Sequence, residues 1–187
     1  MIVFPEIKVY HGSYCEVKNP DLSICKEGKD FGRGFYVTTS KSQASKFVKT
    51  AIKKAYRLGM LDNEEASCGY VSEYSLLNVN GVKIFEFEDA DSEWLHCVAG
   101  FRSGEKFLGE IKNIEKYDIV AGKIANDNTN LVITAYIDGA YGEMGSDRAD
   151  QIAIEFLEPN NLKDQICFKT DSAVKKLQFI GSERVVI

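Results

Sequence analysis

DFGRGFYVTTSKSQASKFVKTAIKKAYRLG, residues 30–59, changes its hydrophobic period partway along, and that change decides the fold class. Asp30-Phe31-Gly32-Arg33-Gly34 is glycine-rich and reads as a loop. Phe35-Tyr36-Val37-Thr38 is aromatic and β-branched and reads as a strand. Ser40 then offers an N-cap, and Ala44, Phe47, Val48, Ala51, Ile52 and Ala55 recur at steps of three and four. That spacing predicts a helix from Lys41 to Leu58, ended by Gly59. Its polar face carries Lys46, Lys49, Lys53 and Lys54, read as a solvated face, with an acidic partner or a nucleic acid as the alternative.

Outward from this stretch, Ile7 to Tyr10 alternates and reads as a strand, with His11 at or near its end. Asn19-Pro20-Asp21 is a turn signal. Tyr70–Leu77 and Val82–Phe87 read as two strands of a hairpin closed by Asn80-Gly81. Asp91 to Phe101 reads as a helix with Trp94, Leu95 and Val98 as its apolar stripe. Tyr117 to Gly122 is a buried strand, and Asn126-Asp127-Asn128 a turn or polar loop. Asn130 to Tyr141 has an ambiguous period and is read as a helix. Asp147 to Leu157 is read as a helix capped by Ser146, with Ala149, Ile152, Ala153, Phe156 and Leu157 as its stripe, although strict alternation would also suit a strand. Pro159-Asn160-Asn161 breaks it. Gln165 to Lys169 is a strand with Ile166 and Phe168 on one face and Gln165 and Cys167 on the other. A short helix, Asp171 to Leu177, and a strand near Arg184 to Ile187 follow. Strands and helices mix without regular alternation, so the class is α+β.

The chain has 187 residues, which suits a single domain over 1–187. Its 44% apolar and 27% charged residues are globular values and exclude wholesale disorder. A net charge of −5 argues against a broad electropositive field for duplex nucleic acid. Five dispersed cysteines with no C-x-x-C pair suit a reducing cytosol. With two histidines, a zinc site is not expected. The N-terminal residues lack a basic signal-peptide start, and no apolar run reaches the ~20 residues that span a bilayer. A cytoplasmic protein without membrane association is expected.

Gly32-x-Gly34 lacks the third glycine and following helix of a dinucleotide fingerprint, and no G-K-[ST] phosphate loop is present. No cysteine has a recognisable nucleophile context, and no two acids are paired by sequence alone. His11-Gly12-Ser13 after one strand, then Gly32-x-Gly34-Phe35-Tyr36-x-Thr38, resembles the ADP-ribosyltransferase superfamily of the diphtheria-toxin and poly-ADP-ribose-polymerase type. YHGSYCEVKNPDL, DFGRGFYVTTSKSQA, YDIVAGKIAND and DQICFKTDSAVKKLQFI resemble more closely a bacterial family filed as domain of unknown function 3990 (DUF3990), thought of as ADP-ribosyltransferase-like.

The resemblance implies a split-sheet core with an NAD cleft and helices on its flanks. It implies that NAD is a substrate and that His11, Tyr36 and Gln165 carry the chemistry. His11 would bond a ribose hydroxyl, the Gly12 backbone the nicotinamide carboxamide, and Tyr36 would stack on the nicotinamide ring. Ser13, Asp30, Arg33, Gly34, Phe35, Thr38 and Asp127 would line the dinucleotide, Arg33 as a phosphate contact. Gln165 stands where the superfamily carries Glu, Asp or Gln. Gln supplies a hydrogen bond without the charge that Glu would bring near a developing sugar cation. Glu155 and Glu158 are the candidates to replace that charge. Where the family's second helix ends in Asn-Arg, this chain reads Gly100-Phe101-Arg102. The expected activity is mono-ADP-ribosyl transfer to a macromolecule, protein rather than nucleic acid, by the toxin of a bacterial toxin–antitoxin pair. NAD glycohydrolysis, or a non-catalytic NAD- or ADP-ribose-binding or protein-interaction module, is the alternative.

Overall fold

The structure is a computed structural model that describes residues 7–104, 107–124, 127–158 and 162–187; at 108, 110, 127 and 128 it describes backbone alone. Its elements run β1 (Ile7–Ser13), β2 (Phe35–Val37), α1 (Lys41–Arg57), β3 (Cys68–Leu76), β4 (Ile84–Glu86), α2 (Ser92–Ser103), α3 (Leu108–Ile114), β5 (Ile119–Lys123), α4 (Asp127–Ile137), α5 (Asp147–Leu157), β6 (Asp164–Phe168), α6 (Asp171–Val174) and β7 (Leu177–Val186). The class is α+β. One sheet has the order β1-β3-β7, the other β2-β6-β5-β4. All pairings are antiparallel except β4 with β5. The two sheets touch through a bridge between Tyr10 and Thr38.

The apolar faces explain the layers. Val9, Tyr74 and Leu76 of the first sheet pack with Phe35, Val37, Ile119, Ala121, Ile166 and Phe168 of the second. α1 covers the opposite face of the first sheet with Ala44, Val48 and Ile52 against Val71. α2, α4 and α5 cover the outer face of the second sheet, with Trp94, Ile133, Tyr136, Ala149 and Ala153 fully buried. β6 lies between β2 and β5 and is buried on both faces, Ile166 and Phe168 on the inner one and Gln165 and Cys167 on the outer, as its alternation implied.

Local signals hold where caps decide them. Ser40 and Ser146 accept from the amides of Gln43 and Ala149, and Asp91 accepts from Trp94. The helical reading of 147–157 therefore stands, but Phe156 turns outward. Phe47 does the same on α1. The expected hairpin does not form. The Asn80-Gly81 turn is there, with Gly81 at φ 81, but its flanking strands enter different sheets. β3 already has neighbours on both edges, and the chain after the turn is caught by Asp118, whose carboxylate accepts from Lys83 N–H. β4 then runs parallel to β5. Asp127 and Asn128 open α4 rather than form a loop. β7 spans ten residues where four were expected, and α3 was not expected. Asn126 and Pro159-Asn160-Asn161 lie outside the described residues.

Close approach of α1 to β1 demands glycine at 12: a Cβ there would lie 2.1 Å from the Ala44 carbonyl oxygen. Gly12→Ala is expected to destabilise by ~1–3 kcal/mol through overpacking. Gly109→Ala, on open helix surface, is expected to stabilise by ~0.5–1 kcal/mol. Urea denaturation of the two variants checks the contrast.

Candidate functional site

The site grows from an interrupted ladder. Tyr10 and Thr38 exchange both backbone hydrogen bonds, at 2.8 and 3.0 Å. In an antiparallel ladder the next bonded pair lies two residues on, at Gly12 and Tyr36. That pair does not form. The Tyr36 carbonyl instead accepts from His11 Nδ1 at 2.7 Å. Alternation directs the Gly12 N–H and C=O away from β3, toward the opening between the sheets. No bond from β2 reaches them.

His11 is held on two sides, by that carbonyl and by the Phe35 ring, whose centroid is 4.5 Å away. A carbonyl can only accept, so Nδ1 carries the proton and Nε2 presents a lone pair. Nε2 has no protein partner among the described residues and is not sealed from solvent. Burial pushes the imidazole below its ordinary pKa, partly offset by the Tyr36 carbonyl.

Tyr36 bends over the preceding loop. Its hydroxyl donates to Gly32 O at 2.7 Å and accepts from Phe31 N–H at 3.0 Å. Burial raises its pKa well above the ordinary phenol value, so it stays neutral. The same loop carries Asp30, which is 8% exposed. Asp30 Oδ1 accepts from Arg102 Nε at 3.0 Å and Nη2 at 2.6 Å, and Oδ2 from Gln165 Nε2 at 2.7 Å. Gln165 Nε2 also donates to Lys123 O at 3.0 Å. Two acceptors fix which end of the amide is NH2, leaving Oε1 as an acceptor without a protein partner among the described residues. Arg102 reaches on to Asn130 Oδ1 at 2.6 Å.

The structure thus gathers Tyr36, Asp30 and Gln165 on the outer face of the second sheet, with His11 joined to them through the Tyr36 backbone. His11 and Gln165 lie on either side of β2. The remaining residues take other places. Arg33 donates to Leu22 O from Nε at 3.2 Å and Nη2 at 2.8 Å. With Gly34 it lines a cavity of about 590 Å³ shared with Asp21, Ser23, Lys169 and Thr170. Phe35 is core. Thr38 Oγ1 donates to Asp164 at 2.9 Å, and Thr39 holds the same carboxylate through its amide and hydroxyl. Glu155 and Glu158 are on and just after α5, exposed, and not at Gln165. The side chain of Asp127 lies outside the described residues. Cys167 and Cys97 are buried with their thiols pushed up, Cys167 to about 12, which argues against a thiolate nucleophile at either.

Sequence reasoning missed three partners. Phe101 was noted as a departure from the family's Asn-Arg ending, but Arg102 beside it was not read as the cation on Asp30. Tyr70 and Arg184 share a sheet face with Ser13 and His11, because Ser13 pairs with Tyr70 and Tyr70 with Arg184. No local pattern announces them; register does.

Over residues 7–179 the chain matches the family described as protein of unknown function (DUF3990), and it belongs to that family. No curated protein and no solved structure matches it. No described helix is long and apolar enough to cross a membrane.

Two outcomes follow. Arg102→Met strips a buried carboxylate of its guanidinium and is expected to cost ~3–5 kcal/mol in urea denaturation, partly recovered by adding Asp30→Asn. Because His11 titrates lower folded than unfolded, the unfolded chain binds more protons below about pH 6.5. Its contribution is full above that pH and lost as pH falls. Thermal melts from pH 7 to 5 are expected to show this slope, flattened in His11→Gln.

Proposed function

We propose that the protein is a NAD-dependent mono-ADP-ribosyltransferase whose site is the opening between β1 and β2. The observation that carries this reading is the interrupted ladder: Gly12 presents an adjacent backbone donor and acceptor toward the opening, the complement of a planar carboxamide. His11 Nε2, with its tautomer set by Tyr36 O, would accept from a ribose hydroxyl. The neutral Tyr36 ring would give a face for the pyridinium. Gln165 Oε1 would accept from a second hydroxyl. In this reaction the bond from ribose C1′ to the nicotinamide nitrogen breaks, and its electron pair leaves with nicotinamide. An acceptor nucleophile bonds C1′ and gives up its proton.

Gln165 adds no charge of its own at that step. The Asp30 carboxylate, 2.7 Å from its amide, polarises it and makes Oε1 a better acceptor. The resemblance to ADP-ribosyltransferases supports the same reading, and it alone supports a toxin with a cognate antitoxin, acting in the cytoplasm. A non-catalytic NAD module is the second reading, favoured by an uncharged amide at 165 whose NH2 is engaged by Asp30 and Lys123 O.

Purified protein incubated with adenylate-labelled NAD and a cell lysate is expected to label a macromolecule and release nicotinamide. Both signals should fall at least 100-fold in His11→Ala and Tyr36→Ala, equivalent to ~2.7 kcal/mol. Nicotinamide without label would make the protein a glycohydrolase. Saturable NAD binding without turnover would make it a binding module, and no binding would end the NAD reading.

A further inference from the structure

α1 carries Lys41, Lys46, Lys49, Lys53, Lys54 and Arg57 and no carboxylate. That is +6 on one 17-residue helix of a chain whose net charge is −5, leaving −11 elsewhere. Lys41 pairs with Glu183 at 2.7 Å. The other five have no carboxylate within ion-pair reach among the described residues. Lys46, Lys49, Lys53 and Arg57 follow at steps of three and four and form one exposed stripe. It runs opposite the buried Ala44, Val48, Ile52 and Ala55. At 1.5 Å per residue the stripe is about 16 Å long. Like charges at four-residue spacing, as in Lys49–Lys53 and Lys53–Arg57, destabilise a helix, and an ordinary solvated face relieves them with interspersed Glu. Here nothing does. The basic surface also continues beyond the helix. Lys29, next to Asp30, titrates lower than an ordinary lysine, through burial first and the nearby Lys54 second.

We propose that this face binds the phosphate backbone of a nucleic-acid strand. The alternative occupant, an acidic protein, fits less well. Protein interfaces deplete lysine and place aromatic or arginine anchors at their centre. Here the centre of the face is Lys46, Thr50 and Lys53. The aromatics Phe47 and Tyr56, 46% and 47% exposed, lie on its two flanks. Cations in a row with aromatic faces beside them are what a single strand uses, phosphates on the first and bases on the second. The overall negative charge does not oppose this, since fields of distant surface charges are screened within about 8–10 Å. The proposal does not rest on NAD chemistry, and its readout is binding.

The test is fluorescence anisotropy with a 5′-labelled 20-nucleotide oligouridylate, titrated between 50 and 200 mM salt. Four engaged cations predict a slope of log K against log salt of about −3. Lys46→Glu with Lys49→Glu and Lys53→Glu is expected to weaken binding more than tenfold and flatten the slope. The same three positions changed to Gln are expected to weaken it less. Melting followed by circular dichroism should stay unchanged or rise, since repulsion is removed. Absence of binding at 50 mM salt overturns the proposal, as does equal binding by the folded triple variant. Binding of poly-glutamate in place of the oligonucleotide overturns it in favour of an acidic polypeptide.

Discussion

The hydrogen bond from His11 Nδ1 to the Tyr36 carbonyl is the constraint around which this structure is arranged. β1 and β2 share a single bridge, Tyr10 with Thr38, and at the next position of that ladder the Tyr36 carbonyl accepts from His11 rather than from Gly12. By taking the carbonyl that Gly12 would otherwise use, the imidazole lets the strands part after a single bridge. That one bond sets the imidazole's tautomer and lies where the main chain opens at Gly12 and the two sheets diverge. Divergence has a cost in unmade backbone bonds, which the packing of Val9, Phe35 and Tyr74 between the layers offsets.

The second constraint is the buried charge at Asp30. A carboxylate that is 8% exposed needs strong partners, and it has a guanidinium on one oxygen and an amide on the other. This explains why position 165 is Gln. A glutamate there would place a second carboxylate 2.7 Å from Asp30 and forfeit both amide donations. Charge near the site is thus held one residue away, on a loop that Tyr36 clamps through Phe31 and Gly32. The loop, the strand behind it and α2 are tied into one unit by Arg102.

What the sequence discloses follows from the range of the interactions involved. Capped helices and the alternation of β6 are local, and Ser40, Ser146 and the spacing of Ile166 and Phe168 announce them directly. His11, Tyr36 and Gln165 were singled out through short motifs that carry the family resemblance, and the structure links them through the Tyr36 carbonyl and the loop that bears Asp30. Arg102 was not, since its partner is 72 residues away and nothing at either position encodes the pairing. The Asn80-Gly81 turn misled for a related reason: a turn fixes a reversal of direction, while strand partnership depends on which edges remain open. Outward Phe47 and Phe156 show the converse, apolar residues at helical spacing whose neighbours already fill the core.

Net charge is the coarsest of these signals, and here it conceals the most. A net charge of −5 suggests a protein repelled by polyanions, yet α1 alone carries six cations and no carboxylate. α1 follows directly on the strand that bears Tyr36 and packs against the back of the strand that bears His11. The stripe lies on the side of α1 turned away from β1 and Gly12. One helix thus does two separate things: its apolar face closes the fold behind Gly12, and its other side gathers the cations that the net charge conceals.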